Sequence, residues 1–303
     1  MNPNPHILLI GGSGFIGSVI AAQLVARGCR VTIPTRRRER ARQLLVLPTV
    51  EVVDADIGQA ETLARLVAGK DAVIYLPGLL HSDRTPPFGN AFKAVHVDLP
   101  TRVMEACVAA GVPRYLHMSA LGAASDAPSM YQRSKAAGEA AARSFEDRLA
   151  VTIFRPSVVF GVGDKFSNLF AQLSRFAPFL IVGGAHAKFQ PIHVDDVATA
   201  FVNALFDPAT VGCAYDLGGP TIYSLGEFIQ ACGRVAGVER AVFNLPKPLA
   251  LLQALVLEQL PGPLLSRDNL ASLEVDNVLG APVAEELGIK PAAFEAIAPS
   301  YLR

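Results

Sequence analysis

The sequence predicts an α/β protein, a doubly wound parallel sheet followed by a smaller C-terminal α/β region. Three observations carry that prediction. Short β-branched runs alternate with helical stretches over the first two thirds of the chain. The runs are apolar without period-2 alternation, as strands covered on both faces should be. After Pro156 the texture changes: turn signals multiply at Gly161-Val162-Gly163-Asp164, Gly183-Gly184 and Leu217-Gly218-Gly219-Pro220, and a second, smaller region begins there.

Taken in order, the strands are expected at 6–10, 30–35, 50–54, 72–76, 114–119 and 151–155, and the helices at 15–27, about 62–67, 99–110 and 130–145. The stretch 246–263 is strongly leucine-rich and bracketed by prolines. Its inner piece, 249–260, is long enough for about three helical turns. It reads as a buried helix of the second region, as a greasy wall for an apolar ligand, or as a helix lying on a membrane surface.

Composition limits the function. Lys plus Arg and Asp plus Glu both number 27, so no net charge draws the chain to nucleic acid or anionic lipid. With 51% hydrophobic and 18% charged residues, the chain can bury a large core, which argues against a disordered one. Cys29, Cys107, Cys213 and Cys232 are scattered with no C-x-x-C pair, which indicates neither a disulfide framework nor a structural zinc site. The first residues lack the basic region of a secretory signal, and no apolar run reaches the roughly 20 residues a membrane span requires. The expected setting is cytoplasmic.

Directly after the first strand comes Gly11-Gly12-Ser13-Gly14-Phe15-Ile16-Gly17, which matches G-x-x-G-x-x-G through Gly11, Gly14 and Gly17. Glycines there permit a tight turn, a close backbone approach to pyrophosphate and close helix packing. The helix that follows offers unsatisfied N–H groups and a positive dipole end to phosphate. Because the motif lies between a strand and a helix, it is read as a dinucleotide site rather than an incidental turn. Gly11, Ser13, Gly14, Phe15, Ile16 and Gly17 are the candidate cradle.

The end of the second strand bears on the choice of nucleotide. An NAD site places a carboxylate there for the ribose 2′-OH. This chain has Thr35-Arg36-Arg37-Arg38 and no acid before Glu39. Guanidinium forks at Arg36 and Arg37 suit a 2′-phosphate, so NADP(H) is favoured over NAD(H). A solvated basic turn is the plainer alternative, and at least one of the three arginines is only that. Asp56 and Ile57 fall where the adenine would lie, and Leu76, Pro77 and Gly78 beside the nicotinamide half.

Tyr131 and Lys135 are four apart on a predicted helix and share a face. Ser119 ends the fifth strand at the carboxyl edge, where ligands bind in such sheets. Free tyrosine has a pKa of about 10, and an ammonium within about 4 to 6 Å lowers it. The pair therefore reads as a proton-transfer site, with Ser119 holding the reacting oxygen. Tyr131 packing at a domain boundary is the plainer alternative.

At this point the residues resemble the short-chain dehydrogenase/reductase superfamily in its extended and atypical, epimerase/dehydratase-like branch. Met118-Ser119-Ala120-Leu121-Gly122-Ala123, Tyr131-Gln132-Arg133-Ser134-Lys135-Ala136-Ala137-Gly138-Glu139, Arg155-Pro156-Ser157-Val158-Val159-Phe160-Gly161, Gly163-Asp164-Lys165-Phe166 and Pro191-Ile192-His193-Val194-Asp195-Asp196-Val197 narrow it. With Leu260-Pro261-Gly262-Pro263 and Val275-Asp276-Asn277, they look like the subgroup that contains the NADPH-binding accessory subunit of mitochondrial complex I and its bacterial relatives. The resemblance implies a Rossmann-type domain, 1–157, to which 186–211 returns, and a smaller substrate domain from 158–185 and 212–303. It carries the catalytic roles onto Ser119, Tyr131 and Lys135, places Pro156 and Val158 at the nicotinamide end, and implies that some members hold the nucleotide as a structural ligand. Nucleotide-sugar epimerases of this branch usually carry Asn where this chain has His96, and they mostly use NAD, so both His96 and the arginines argue against sugar chemistry.

His193 reads as a strand-end anchor beside Asp195 and Asp196, which belong to the N-cap region of the next helix. No pair of histidines has i, i+4 spacing, and no metal site is expected. The first expectation is thus an NADP-dependent oxidoreductase of an apolar, quinone-like carbonyl. The second is a nucleotide-binding accessory or assembly factor of a respiratory or quinone-synthesis complex, peripheral at the inner face of the membrane. The third is a nucleotide-sugar epimerase or dehydratase.

Overall fold

A computed structural model describes residues 4–259 and 265–302. Of the stretches singled out above, Leu260-Pro261-Gly262-Pro263 falls outside the described residues. The chain opens with β1 (His6–Ile10), α1 (Phe15–Ala26), β2 (Arg30–Thr35), β3 (Val50–Asp54), α2 (Ala60–Val67) and β4 (Ala72–Tyr75). A short α3 (Asn90–Phe92) runs through a π-helical stretch (Lys93–Asp98) into α4 (Leu99–Ala110), followed by β5 (Arg114–Met118), α5 (Met130–Arg143) and β6 (Ala150–Pro156). Next come β7 (Val159–Phe160), α6 (Phe166–Phe176), β8 (Phe179–Gly183), β9 (Lys188–Phe189), β10 (Ile192–His193) and α7 (Val194–Phe206). The chain continues with β11 (Ala214–Leu217), β12 (Tyr223–Ser224), α8 (Leu225–Val235), β13 (Ala241–Leu245), α9 (Lys247–Leu257), α10 (Arg267–Ser272) and α11 (Phe294–Ile297).

Seven strands form one parallel sheet in the order β11-β6-β5-β4-β1-β2-β3. It is the doubly wound sheet the apolar runs predict, and β1 shows why those runs do not alternate. Ile7 and Leu9 face one core with α1 and α7, built on Ile20, Leu24, Val197 and Phe201. Leu8 and Ile10 face a second core with α2 and α4, built on Leu63, Leu66, Val103 and Met104. Burial of each such side chain contributes about 1.5–3 kcal/mol, and both faces need them.

The second lobe has a phenylalanine core. Phe228 of α8 packs against Phe166, Phe189, Tyr223 and Phe294, with Phe160, Phe170 and Leu180 in the same cluster. Three two-stranded ribbons, β7 with β10, β9 with β12 and β8 with β13, surround it. One expectation is corrected here. The segment 212–303 does not lie wholly in the smaller lobe, because β11 joins the large sheet in register Ala214↔Ile153, and Leu287 is buried in the α1/α7 core. β11 has only four residues and includes Asp216, so its sequence carries little of the apolar signal of a doubly covered strand.

Candidate active site

The glycine turn has the geometry its chemistry needs. Gly11 has φ +86°, a left-handed conformation that glycine alone adopts readily. A Cβ at Gly17 would lie 2.3 Å from the Gly11 carbonyl oxygen, so only glycine lets α1 sit this close to the strand end. Gly14 caps α1 without a side-chain hydrogen bond, and no acid occupies the first turn. The N–H groups of Phe15 and Ile16 thus head a helix whose dipole is not offset by a carboxylate. A cradle of this shape fits a pyrophosphate. Ser13 lies in the turn, and Leu76 and Pro77 lie over it, within 3.3 Å of the position of a Cβ on Gly11. Gly12 is constrained less, since its Cβ would meet the Ile33 side chain, rather than backbone, at 2.9 Å.

At the end of β2, Arg36, Arg37 and Arg38 are exposed. The Thr35 hydroxyl accepts from the Arg37 N–H at 3.2 Å and shapes the turn. Among the described residues none of the three arginines forms an ion pair. Asp56 is exposed and accepts from the Gly58 N–H at 2.9 Å, while Ile57 packs on the α2/α4 core.

On α5, Ser129 caps the helix by accepting from the Gln132 N–H, and Asp268 of α10 accepts from the N–H groups of Met130 at 2.6 Å and Tyr131 at 3.0 Å. The smaller lobe therefore fixes the end of the helix that carries Tyr131. Lys135 is buried, donates to the Met118 carbonyl at 3.2 Å, and its Nζ lies 6.0 Å from the Tyr131 ring centre. A Cβ on Gly78 would be 3.4 Å from that Nζ, so the loop after β4 passes directly against it. Burial pulls the Lys135 ammonium down to about 8, against the attraction of Glu139. Burial pushes the Tyr131 phenol up to about 12. Burial thus favours the protonated phenol, and its hydroxyl makes no hydrogen bond among the described residues.

The structure brings Tyr131, Lys135 and Gly78 together but turns Ser119 elsewhere. Ser119 is buried, and its hydroxyl donates to Glu139 at 2.5 Å. Glu139 in turn takes two hydrogen bonds from Arg155. Pro156 ends β6, where its carbonyl accepts from the Leu121 N–H, and the Val158 carbonyl accepts from the Ile192 N–H.

Three further groups, each already named from the sequence, organise this edge in roles that no motif gives them. His96, in the π-helical stretch, accepts from the Leu79 N–H at Nε2 (3.0 Å), while Nδ1 lies 2.8 Å from the Ser134 hydroxyl. Ser134 donates to the Tyr131 carbonyl, and the His96 ring meets Tyr131 edge-on at 5.8 Å. With Nε2 accepting, Nδ1 carries the proton, and burial followed by the charge of Lys135 pulls His96 down to about 2, so it is neutral. Asn277 accepts from the Ser157 hydroxyl at 2.6 Å and donates to the Leu121 carbonyl at 2.7 Å. The third is the Glu139–Arg155 pair. A π-helical insertion at a functional edge is a signal that structure gives and composition does not.

A cleft of about 590 Å³ opens beside the start of α5, between Pro128, Met130 and Arg133 on one side and Leu245, Leu251 and Leu270 on the other. A second of about 360 Å³ shares Arg84, Met130 and Asp268 and reaches Phe92, which touches Tyr131 edge-on. His193 caps α7 and lies over Phe160, with Asp195 and Asp196 in the first helical turn. Among the described residues no cluster of three or more His, Cys, Asp or Glu is placed to hold a metal ion, and no helix is long and apolar enough to cross a membrane.

The sequence profile of the NAD dependent epimerase/dehydratase family matches residues 7–218. Over 302 residues the chain is 30% identical to the mitochondrial NADH-ubiquinone oxidoreductase 40 kDa subunit of Neurospora crassa, covering 97% of this chain and 78% of the relative. It is 29% identical over 242 residues to a ceramide reductase of Caulobacter vibrioides, covering 80% and 74%. In fold it is similar to dTDP-glucose 4,6-dehydratase from Streptomyces venezuelae, solved with NAD and TYD bound, with a TM-score of 0.77, 22% identity, and 98% and 96% of the two chains covered.

Proposed function

The chain belongs to the NAD dependent epimerase/dehydratase family, and from that premise we propose that it binds NADP(H) and reduces an apolar carbonyl. The observation that carries this reading is the Tyr131–Lys135 face: a protonated phenol free of hydrogen bonds among the described residues, one helical turn from a buried ammonium. Gly11, Ser13, Gly14, Phe15, Ile16 and Gly17 would hold the pyrophosphate, Arg36 and Arg37 the 2′-phosphate, and Asp56 and Ile57 the adenine. Leu76, Pro77, Gly78, Pro156 and Val158 would flank the nicotinamide. When bound, the reduced nicotinamide supplies a hydride to the carbonyl carbon. Tyr131 delivers its phenolic proton to the oxygen, and the Lys135 cation stabilises the phenolate left behind. The Met118 carbonyl orients Lys135, and Ser119, its proton committed to Glu139, acts through the position of that carboxylate.

Tyr131→Phe tests the reading. NADPH-dependent reduction of a short-chain quinone or an aliphatic ketone should fall by about 10²–10⁴-fold, the size of a lost proton donor, with NADPH affinity unchanged. A rate untouched by the substitution contradicts it.

A second reading, an NADPH-holding accessory or assembly factor of a respiratory or quinone-synthesis complex, is supported by the orientation of Ser119 and by similarity to the Neurospora crassa subunit. It places the chain in the cytoplasm, peripheral at the inner face of the membrane. Tyr131→Phe would then retain NADPH and full function in the cell. Retention of NAD with UDP-sugar binding would instead favour sugar-nucleotide chemistry.

A further inference from the structure

Apart from Lys247 at its start and Gln253, α9 is apolar around its whole circumference, a pattern ordinarily found in helices that are wholly buried. Here only Ala250 and Ala254 turn inward, with Ala250 pressed on Gly183 of β8. The remaining faces are open: Leu249 is 54% exposed, Leu252 58% and Val256 60%, with Leu251 and Leu255 also exposed. The neighbouring ribbon adds to this surface. Leu180 and Val242 point into the phenylalanine core, whereas the in-register residues Phe179, Ile181 and Phe243 are exposed on the opposite face.

This apolar surface continues into the cleft. Leu245, two residues beyond Phe243 on the same strand face, lines it, and so does Leu251, one turn before Leu255. The lining also carries Arg84, Arg133, Lys247 and Arg267 against only Asp268 and Glu274. Asp268 caps α5 and Glu274 holds Lys247 at 2.8 Å, while Arg267 pairs with Glu258. Arg84 forms no ion pair among the described residues, whereas the Arg133 guanidinium is spent on the carbonyls of Ala127 and Pro128. The rim is therefore cationic, whereas the exposed faces of α9 between Leu249 and Val256 carry no charge.

We propose that α9 and the outer face of β8 and β13 dock on a bilayer containing anionic lipid, with the mouth of the cleft turned toward it. A protein seated across Leu245 and Leu251 would close that mouth. A bilayer leaves it open to apolar solutes, and its lipid phosphates match the cationic rim and the unpaired Arg84 guanidinium. The docking face stands on these surface observations, and the route it gives a substrate rests on the reductase reading above.

The test is flotation of the full chain with vesicles of phosphatidylcholine alone and of phosphatidylcholine mixed with phosphatidylglycerol. The chain should float with the mixed vesicles. The Leu252→Glu/Val256→Glu double variant, altered only at exposed positions, should lose at least about tenfold in bound fraction, and Arg84→Glu should lose the preference for phosphatidylglycerol. NADPH titration of the same proteins should be unchanged. A wild-type chain that floats with neither vesicle, a double variant that floats like wild type, or a solution dimer that the double variant dissolves would each overturn the proposal. Vesicle binding by a chain that does not bind NADPH would support docking and defeat the reductase reading instead.

Discussion

Lys135 and the Arg36-Arg37-Arg38 run set positive charge at two places along one sheet edge, in opposite surroundings. Lys135 is buried, held by the Met118 carbonyl and drawn down to about 8; the arginines are exposed and form no ion pair among the described residues. A buried cation is oriented before any ligand arrives, and its desolvation weakens the fold. Exposed cations cost the fold little and act only when a phosphate reaches them. Damage at the first place should therefore appear in stability and damage at the second in ligand choice.

The largest effect is expected at the buried end. Arg155→Met leaves the Glu139 carboxylate, which neighbours Lys135, buried without its bidentate partner. The loss should be about 3–5 kcal/mol, read as a lower urea midpoint. His96→Ala removes the acceptor of the Leu79 N–H and should cost about 1–3 kcal/mol, while His96→Asn, which keeps an acceptor, recovers part of it. At the exposed end, Arg36→Ala with Arg37→Ala should leave the urea midpoint unmoved and weaken NADPH by about 1.5–3 kcal/mol per lost charged hydrogen bond, with NADH little changed. Equal weakening of both nucleotides would erase the contrast.

The same buried cation also sets a pH dependence. Lys135 is depressed from 10.5 to about 8. Between those values the folded chain has released a proton that the unfolded chain still binds, so this group makes unfolding harder as pH rises through the window. Denaturant titrations across that range should show the rise in wild type and lose it in Lys135→Met.

The large sheet was legible because a doubly covered strand must be apolar on both sides, as Leu8 and Leu9 are. The glycine turn and the Tyr131–Lys135 face were legible because each lies within one short segment. β11 was not, since four residues with an acid look like a loop until β6 is beside them. Nor were the partners of Ser119, Tyr131 and Leu121: Glu139 lies 20 residues from Ser119, Asp268 137 from Tyr131 and Asn277 156 from Leu121. No local spacing encodes contacts of that range. The burial that raises the Tyr131 phenol likewise comes from the assembled surroundings, so the spacing showed a proton-transfer pair without showing which way burial moves the phenol.

The central claim, that the glycine turn and the Tyr131–Lys135 face hold one nicotinamide nucleotide, is tested most directly by NADPH titration. The chain has no tryptophan, so the fluorescence of the reduced nicotinamide can be followed without protein interference. Saturable enhancement with NADPH, weaker with NADH and abolished in Gly17→Val, is the predicted result. No enhancement with either nucleotide, or enhancement that survives Gly17→Val, would contradict the account.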